Sequence, residues 1–214
     1  MSYAIHKQTY SGGRAYRYRI LDEAGNVRYL AEPTGLLQPT PTRLIEFFDP
    51  DHNRVGRFQP SDAAWWRHTK RYDIFVGDET EEPYAEIREC LRMVDLLLLR
   101  LPHYEVQLGR YYYVALGSRY GERFYEIFRL HEGEAEEVDE ERVDEEQVHE
   151  AVERGEKTKA HSKKAPHPSE TRVGQIQRPP SGPSYVIETD AAPLRQALTV
   201  LTALVILIDL ALTA

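Results

Sequence analysis

Five consecutive residues, Asp49-Pro50-Asp51-His52-Asn53, place oxygen donors at alternate positions: Asp49, Asp51 and Asn53. Calcium-binding loops of the EF-hand type open with this spacing, but they also need Gly at the sixth position and Glu at the twelfth. Here those positions hold Arg54 and Pro60. The segment therefore reads first as a solvated hairpin turn and only weakly as a calcium site. No other metal is expected. His161 and His167 lie in a polar stretch without a Cys or a closely paired His, and a zinc site needs three or four such ligands. A nucleophile would have to be Cys90, the single cysteine. The chain contains no GxSxG, no phosphate-cradling glycine loop and no Cys–His pair at a diagnostic spacing. Cys90 reads instead as a small buried side chain. The sequence thus predicts no catalytic residues, no cofactor and no enzymatic activity. A small-molecule hydrolase is the weakest alternative, with no motif behind it.

Two groups of residues suit binding. The segment AAWWRHTKRY joins Trp65 and Trp66 to Arg67, His68, Lys70 and Arg71. Aromatic rings settle in the headgroup zone of a bilayer and cations on anionic lipid, so this could be a loop that touches a membrane surface. The competing reading has a Trp plugging one end of the fold and the cations solvated. Arg17, Arg19 and Arg28 could form an outward basic stripe for a phosphorylated headgroup or an acidic partner. They could equally be an ordinary solvated face, paired with acids.

The elements that must carry these residues are short strands. From Tyr3 to Leu130 the chain repeats alternating runs rich in Tyr, Val, Ile and Phe, broken by turn residues, which is the strand signature. In AYRYRIL, Tyr16, Tyr18 and Ile20 face one way and Arg17 and Arg19 the other. DEAGN and DPDHN each turn the chain between two such runs. The count reaches ten strands before residue 131, and TRVGQIQ and SYVIET add two more near the end. Hairpins at this regular spacing predict an antiparallel barrel or sandwich. CLRMVDLLLLRLP (residues 90–102) is ambiguous, and reads as a helical or irregular connection stopped by Pro102.

Residues 131–170 interrupt this pattern. Between Glu132 and Glu156 there are 13 acidic and 2 basic residues, a local net charge of −11 against −8 for the whole chain. Val138, Val143 and Val148 recur every five residues, so on a helix they would spiral and leave no apolar seam. The basic, Pro-containing stretch that follows has the composition of disorder. The region is read as an acidic insertion, partly helical or disordered, within one domain spanning residues 1–214. The net negative charge argues against a nucleic-acid partner. The lone cysteine and the lack of an N-terminal apolar segment fit a reducing, cytoplasmic setting.

The last stretch, LRQALTVLTALVILIDLALTA, is apolar enough to pose a choice. About twenty helical residues span a bilayer, so residues 194–214 could be a membrane anchor. Against that, Asp209 lies inside the run, no Lys/Arg cluster precedes it and no Trp or Tyr flanks it. Twelve strands in a closed barrel also make a lumen too wide for their own side chains to fill, and a helix that is apolar all round is what such a lumen requires. A buried central helix over residues 192–213 is therefore expected, with Asp190 as N-cap, Pro193 in the first turn, and Leu198, Leu201, Leu204, Val205, Ile208 and Asp209 in the core.

The order of these phrases resembles a known superfamily, the tubby C-terminal and phospholipid scramblase group, and within it the LURP-one-related branch. YRILDEAGNVRYLAE and LIEFFDPDHNRVGRF resemble its first two hairpins. YYYVALGSRYGERFYEIF and TRVGQIQ resemble later strands, and SYVIETDAAPLRQALTVLTALVILID is the best match. The resemblance covers nearly all of the chain outside residues 131–170. It implies a closed barrel of about twelve antiparallel strands with the C-terminal hydrophobic helix threaded through it. It also implies a monomeric, non-enzymatic protein that binds an anionic phospholipid or phosphoinositide headgroup, or a protein partner, at its surface, and lies peripheral to a membrane. The alternative it carries is a scramblase-like protein anchored through residues 194–214. Deleting residues 134–168 is expected to leave the fold intact, since that segment offers no apolar face to the core. A soluble deletion variant with a melting temperature within a few degrees of the parent is the expected result; aggregation would contradict the insertion reading.

Overall fold

The computed structural model describes residues 2–10, 15–34, 44–61, 69–77, 81–90, 101–117, 124–130, 171–179 and 184–213. Twelve strands alternate in direction along the chain: β1 (Ser2–Tyr10), β2 (Ala15–Leu21), β3 (Val27–Pro33), β4 (Ile45–Phe48), β5 (Arg54–Pro60), β6 (Thr69–Val76), β7 (Ala85–Cys90), β8 (His103–Leu108), β9 (Tyr111–Gly117), β10 (Phe124–Leu130), β11 (Thr171–Gln177) and β12 (Ser184–Thr189). Each pairs antiparallel with its neighbours in sequence, and β1 closes on β12 from Ser2↔Glu188 to His6↔Ser184. The result is an up-and-down barrel with no exposed sheet edge.

Alternation in the sequence becomes alternation in burial. In β8, Tyr104, Val106 and Leu108 are buried and His103, Glu105 and Gln107 are partly exposed. In β12, Tyr185 and Ile187 point in while Val186 and Glu188 do not. Ten of the strands precede residue 131 and two follow residue 170, as expected. One boundary differs. Strand β6 begins at Thr69, so Lys70 and Arg71 stand on a strand and not in a loop. Trp65, Trp66 and Arg67 lie outside the described residues, as do residues 91–100 and 131–170.

DEAGN and DPDHN form the same turn. The Asp22 and Asp49 backbone N–H groups donate to the Asn26 and Asn53 carbonyls, and each Asp carboxylate accepts from the backbone N–H of the Asn four residues on. The fourth residue is left-handed in both, Gly25 at φ 82° and His52 at φ 64°. Glycine takes this conformation freely, whereas His52 is held in it by the surrounding bonds. A register shift accompanies each turn, at Ile20/Leu21 and at Phe47/Phe48, where an extra residue is absorbed by the ladder.

The C-terminal run divides into α1 (Ala192–Gln196) and α2 (Leu198–Thr213). The N-cap is Ala191, with extended dihedrals and no side-chain cap. The expectation of Asp190 as N-cap is therefore corrected: the Asp190 N–H is committed to the Val173 carbonyl, and the Ala191 N–H is met by the Thr189 hydroxyl at 3.3 Å. Pro193 does sit in the first turn of α1. At Ala197 (φ −96°, ψ 54°) the helix breaks. The Ala197 N–H closes α1 on Pro193 and Leu194, and its carbonyl starts α2 by accepting from Val200 and Leu201. The break re-aims the chain after β12.

Every residue from Ala197 to Leu210 is at most 7% exposed. A helix lying on the outside of a sheet would bare one side, so burial on all sides places α2 inside the barrel. Leu198, Leu201, Leu204, Val205, Ile208 and Asp209 are all in this core, facing Ile5, Ile20, Phe47, Phe58, Ile74, Ile87 and other inward strand residues of one cluster. Thr202, fully buried, satisfies its hydroxyl on the Leu198 carbonyl. Among the described residues, no helix is long and apolar enough to cross a membrane. Leu204→Asp puts an unpaired charge in this interior and is expected to cost more than about 4 kcal/mol. Loss of soluble, cooperatively melting protein is the expected readout; a mutant that melts like the parent would show that Leu204 is not enclosed.

Candidate functional site

The polar chemistry of the interior gathers around Asp209, near the C-terminal end of α2. Lys7 on β1 lies directly opposite Tyr18 on β2, and Tyr185 on β12 lies opposite Ile5, two residues away on the same face of β1. Three adjacent strands therefore aim three donors at one point in the lumen. Lys7 Nζ donates to Asp209 Oδ2 at 2.5 Å, the Tyr18 hydroxyl to Oδ2 at 2.8 Å and the Tyr185 hydroxyl to Oδ1 at 2.8 Å. Asp209 is 2% exposed and Lys7 15%. The ammonium also stands 5.0 Å from the centre of the Tyr16 ring and 5.7 Å from that of Tyr18, close enough for a cation–π contribution.

Burial pushes the Asp209 carboxyl up, but the hydrogen bonds from Lys7, Tyr18 and Tyr185 and the Lys7 charge outweigh it, and it lies below the ordinary carboxylate value. Burial, and then the Asp209 charge, push the Tyr18 hydroxyl well above the ordinary phenol range. The carboxylate is thus ionised, and both its oxygens accept hydrogen bonds from the wall. That arrangement ties the end of the helix to the wall.

At the same end of the barrel, where β7 finishes, a second inward carboxylate is held. Glu89 is 7% exposed and accepts the Tyr72 hydroxyl at 3.1 Å. Burial, and then the Glu89 charge, raise the Tyr125 hydroxyl.

The outer wall separates the expected basic residues. Arg17 pairs with Glu32 at 2.6 Å across β2 and β3, and Arg71 reaches Glu86 at 3.2 Å, which Arg88 also holds. Arg19 is partly buried on β2, and Arg28 is exposed at the opposite end of the wall, beside the Asp22 turn. Lys70 is exposed at the start of β6. Arg17, Arg19 and Arg28 do not form one uninterrupted stripe. Asp49 spends its carboxylate on the Asn53 side chain (2.9 Å) and backbone (2.8 Å), and these bonds hold it below the ordinary carboxylate value. Asp49 and Asn53 therefore serve the turn, with Asp51 exposed beside them.

Sequence reasoning missed Lys7, Tyr18 and Tyr185 as the partners of Asp209. The available signal was parity: Lys7 shares a face with Tyr3 and Ile5, so it had to point inward. It also missed one set of metal-ligating side chains. Among the described residues, Cys90, His103 and Glu105 bring their ligand atoms within 4.8 Å of one another. Cys90 is partly exposed on the outer wall and not the buried side chain expected.

Fold and interior together define a closed, up-and-down barrel filled by its own C-terminal helix. No protein-family model, curated protein or solved structure matches the chain.

Removing one partner of a buried ion pair strands the other, and costs about 3–5 kcal/mol. Lys7→Met is expected to lose about that at pH 7 in urea unfolding, and Lys7→Met/Asp209→Asn less than the sum of the single changes. Because Asp209 is depressed in the fold, its contribution is full above the unfolded carboxyl value of about 3.9 and is lost as pH falls through the folded value. The stability gap between the parent and Asp209→Asn should hold from pH 7 to 5 and shrink below pH 4. A gap that widens in acid would contradict the ionised assignment.

Proposed function

We propose that the protein is a non-catalytic, LURP-one-related, tubby-like barrel that binds an anionic phospholipid headgroup with one rim and lies peripheral to a membrane. The observation that carries this reading is the difference in sequence charge between the connections that join strands at the two ends of the barrel. Strand direction assigns each connection to a rim. Residues 11–14, 34–44, 61–68, 91–102, 118–123 and 178–183 link strand ends at the rim near Asp209. In sequence they hold eight Arg and three acidic residues, a net charge of +5, together with Trp65 and Trp66. Residues 22–26, 49–53, 77–84, 109–110 and 131–170 link the opposite rim. They hold 22 acidic and 7 basic residues, a net charge of −15. Each Lys or Arg near an anionic leaflet contributes about 1 kcal/mol, and tryptophans favour the headgroup zone. Lys70, exposed at the start of β6, lies at the same end as the arginine-rich connections.

The helix-filled lumen supports placing binding at a rim or on the wall. The alternative, a scramblase-like protein anchored by residues 194–214, would require α2 to leave the barrel it fills. Flotation on vesicles tests the proposal. Recovery is expected on phosphatidylserine or phosphoinositide vesicles and not on neutral phosphatidylcholine, and it should fall between about 0.05 and 0.5 M salt as charges are screened. Arg67→Gln/Lys70→Gln should reduce recovery several-fold without changing the melting temperature. Equal recovery on neutral and anionic vesicles removes the lipid reading. Retention in membranes after a carbonate wash would favour the anchored form instead.

A further inference from the structure

The outer wall carries a group of side chains that the lipid reading does not use. Cys90 is the last residue of β7 and His103 the first of β8, and they sit directly opposite in the antiparallel register. Glu105 follows His103 on the same face of β8, since successive side chains alternate. Three potential ligands thus project from two hydrogen-bonded strands on one side of the wall. Their ligand atoms all lie within 4.8 Å of one another, and His103 Nε2 is 3.9 Å from Glu105 Oε1. His103 and Glu105 are 23% and 26% exposed, so an ion can reach them while the sheet holds their backbones.

We propose that Cys90, His103 and Glu105 bind one zinc ion. Tetrahedral Zn²⁺ takes sulfur at about 2.3 Å and nitrogen or carboxylate oxygen at about 2.0–2.2 Å, which separates its ligand atoms by roughly 3.5 Å. Side-chain rotation of about an ångström closes the observed triangle onto that size. The donor set selects the metal. Calcium and magnesium take oxygen ligands; a thiolate, an imidazole and a carboxylate together suit a borderline-soft ion. Thiolate and carboxylate supply two negative charges, which balance the ion. Three protein ligands leave a fourth position for water, on the solvent side of the wall. The ion would clip β7 to β8 at the strand ends joined by residues 91–102, at the Asp209 end of the barrel.

The test uses the full chain with zinc alone, in competition with a chromophoric chelator, and with cobalt as a spectroscopic substitute. One Zn²⁺ per chain is expected. Cys90→Ser and His103→Gln should each weaken binding at least ~100-fold, with circular dichroism unchanged because both residues lie on the outer face. Cobalt should give an intense visible spectrum with a thiolate charge-transfer band in the near ultraviolet, absent in Cys90→Ser. Zinc should slow reaction of Cys90 with a thiol reagent, and EDTA should restore it. His161→Ala/His167→Ala should bind zinc as the parent does. The proposal is overturned if cobalt binds without the thiolate band, if Cys90→Ser retains parental affinity, or if only the His161/His167 variant loses the metal.

Discussion

A closed barrel of twelve strands cannot fill itself. Its inward side chains reach only part of the way to the axis, and a void of that size would forfeit the contacts on which close packing depends. The constraint is met by α2, whose residues from Ala197 to Leu210 are buried on every side. Other features follow from it. The run must be apolar all round, because every face meets a wall. Here it is supplied by the segment that follows β12. The break at Ala197 lets the chain leave β12 and turn back into the lumen.

An all-apolar helix in an all-apolar tube has little to fix its depth or rotation, since dispersion and hydrophobic contacts are non-directional. The Asp209 cluster supplies direction. Buried ion pairs recover little more than their desolvation cost, so three donors on one carboxylate are better suited to specifying position than to adding stability. The donors come from β1, β2 and β12, the strands on either side of the barrel's closure and next to it. The same bonds that seat the helix therefore bind it to the first strand and the last, the pairing formed between the most distant parts of the chain.

The architecture was legible in the sequence because its physics is periodic. Alternation in AYRYRIL and SYVIET, repeated turns and an unbroken apolar run each report one local rule, and a barrel large enough to need filling links them. What was not legible depends on the register between strands, which sets residues separated in sequence face to face. Nothing near Lys7 in sequence signals that Tyr18 stands opposite it and Asp209 above it. Cys90, His103 and Glu105 were passed over for the same reason: thirteen positions separate Cys90 from His103, and only the hairpin register makes them neighbours. Arg17 and Arg71 were legible as outward cations but not as ion-paired, since Glu32 and Glu86 meet them across a strand boundary. The cap at Ala191 was hidden too, because Val173, on another strand, claims the Asp190 amide.

The two rims differ for reasons that are only partly structural. At the acidic rim, Asp22 and Asp49 are needed by their turns, whose backbone and Asn partners they hold. Residues 131–170, which join β10 to β11 at that end, hold 14 acidic residues. The connections at the other end hold eight Arg and three acidic residues. Counted along the sequence, the connections at one end of the barrel sum to +5 and those at the other to −15. Such an asymmetry does not itself stabilise the fold. On the proposed lipid-binding reading, the surface potential of an anionic leaflet, reaching about one Debye length into solution, would favour approach by the arginine-rich connections over the acidic ones.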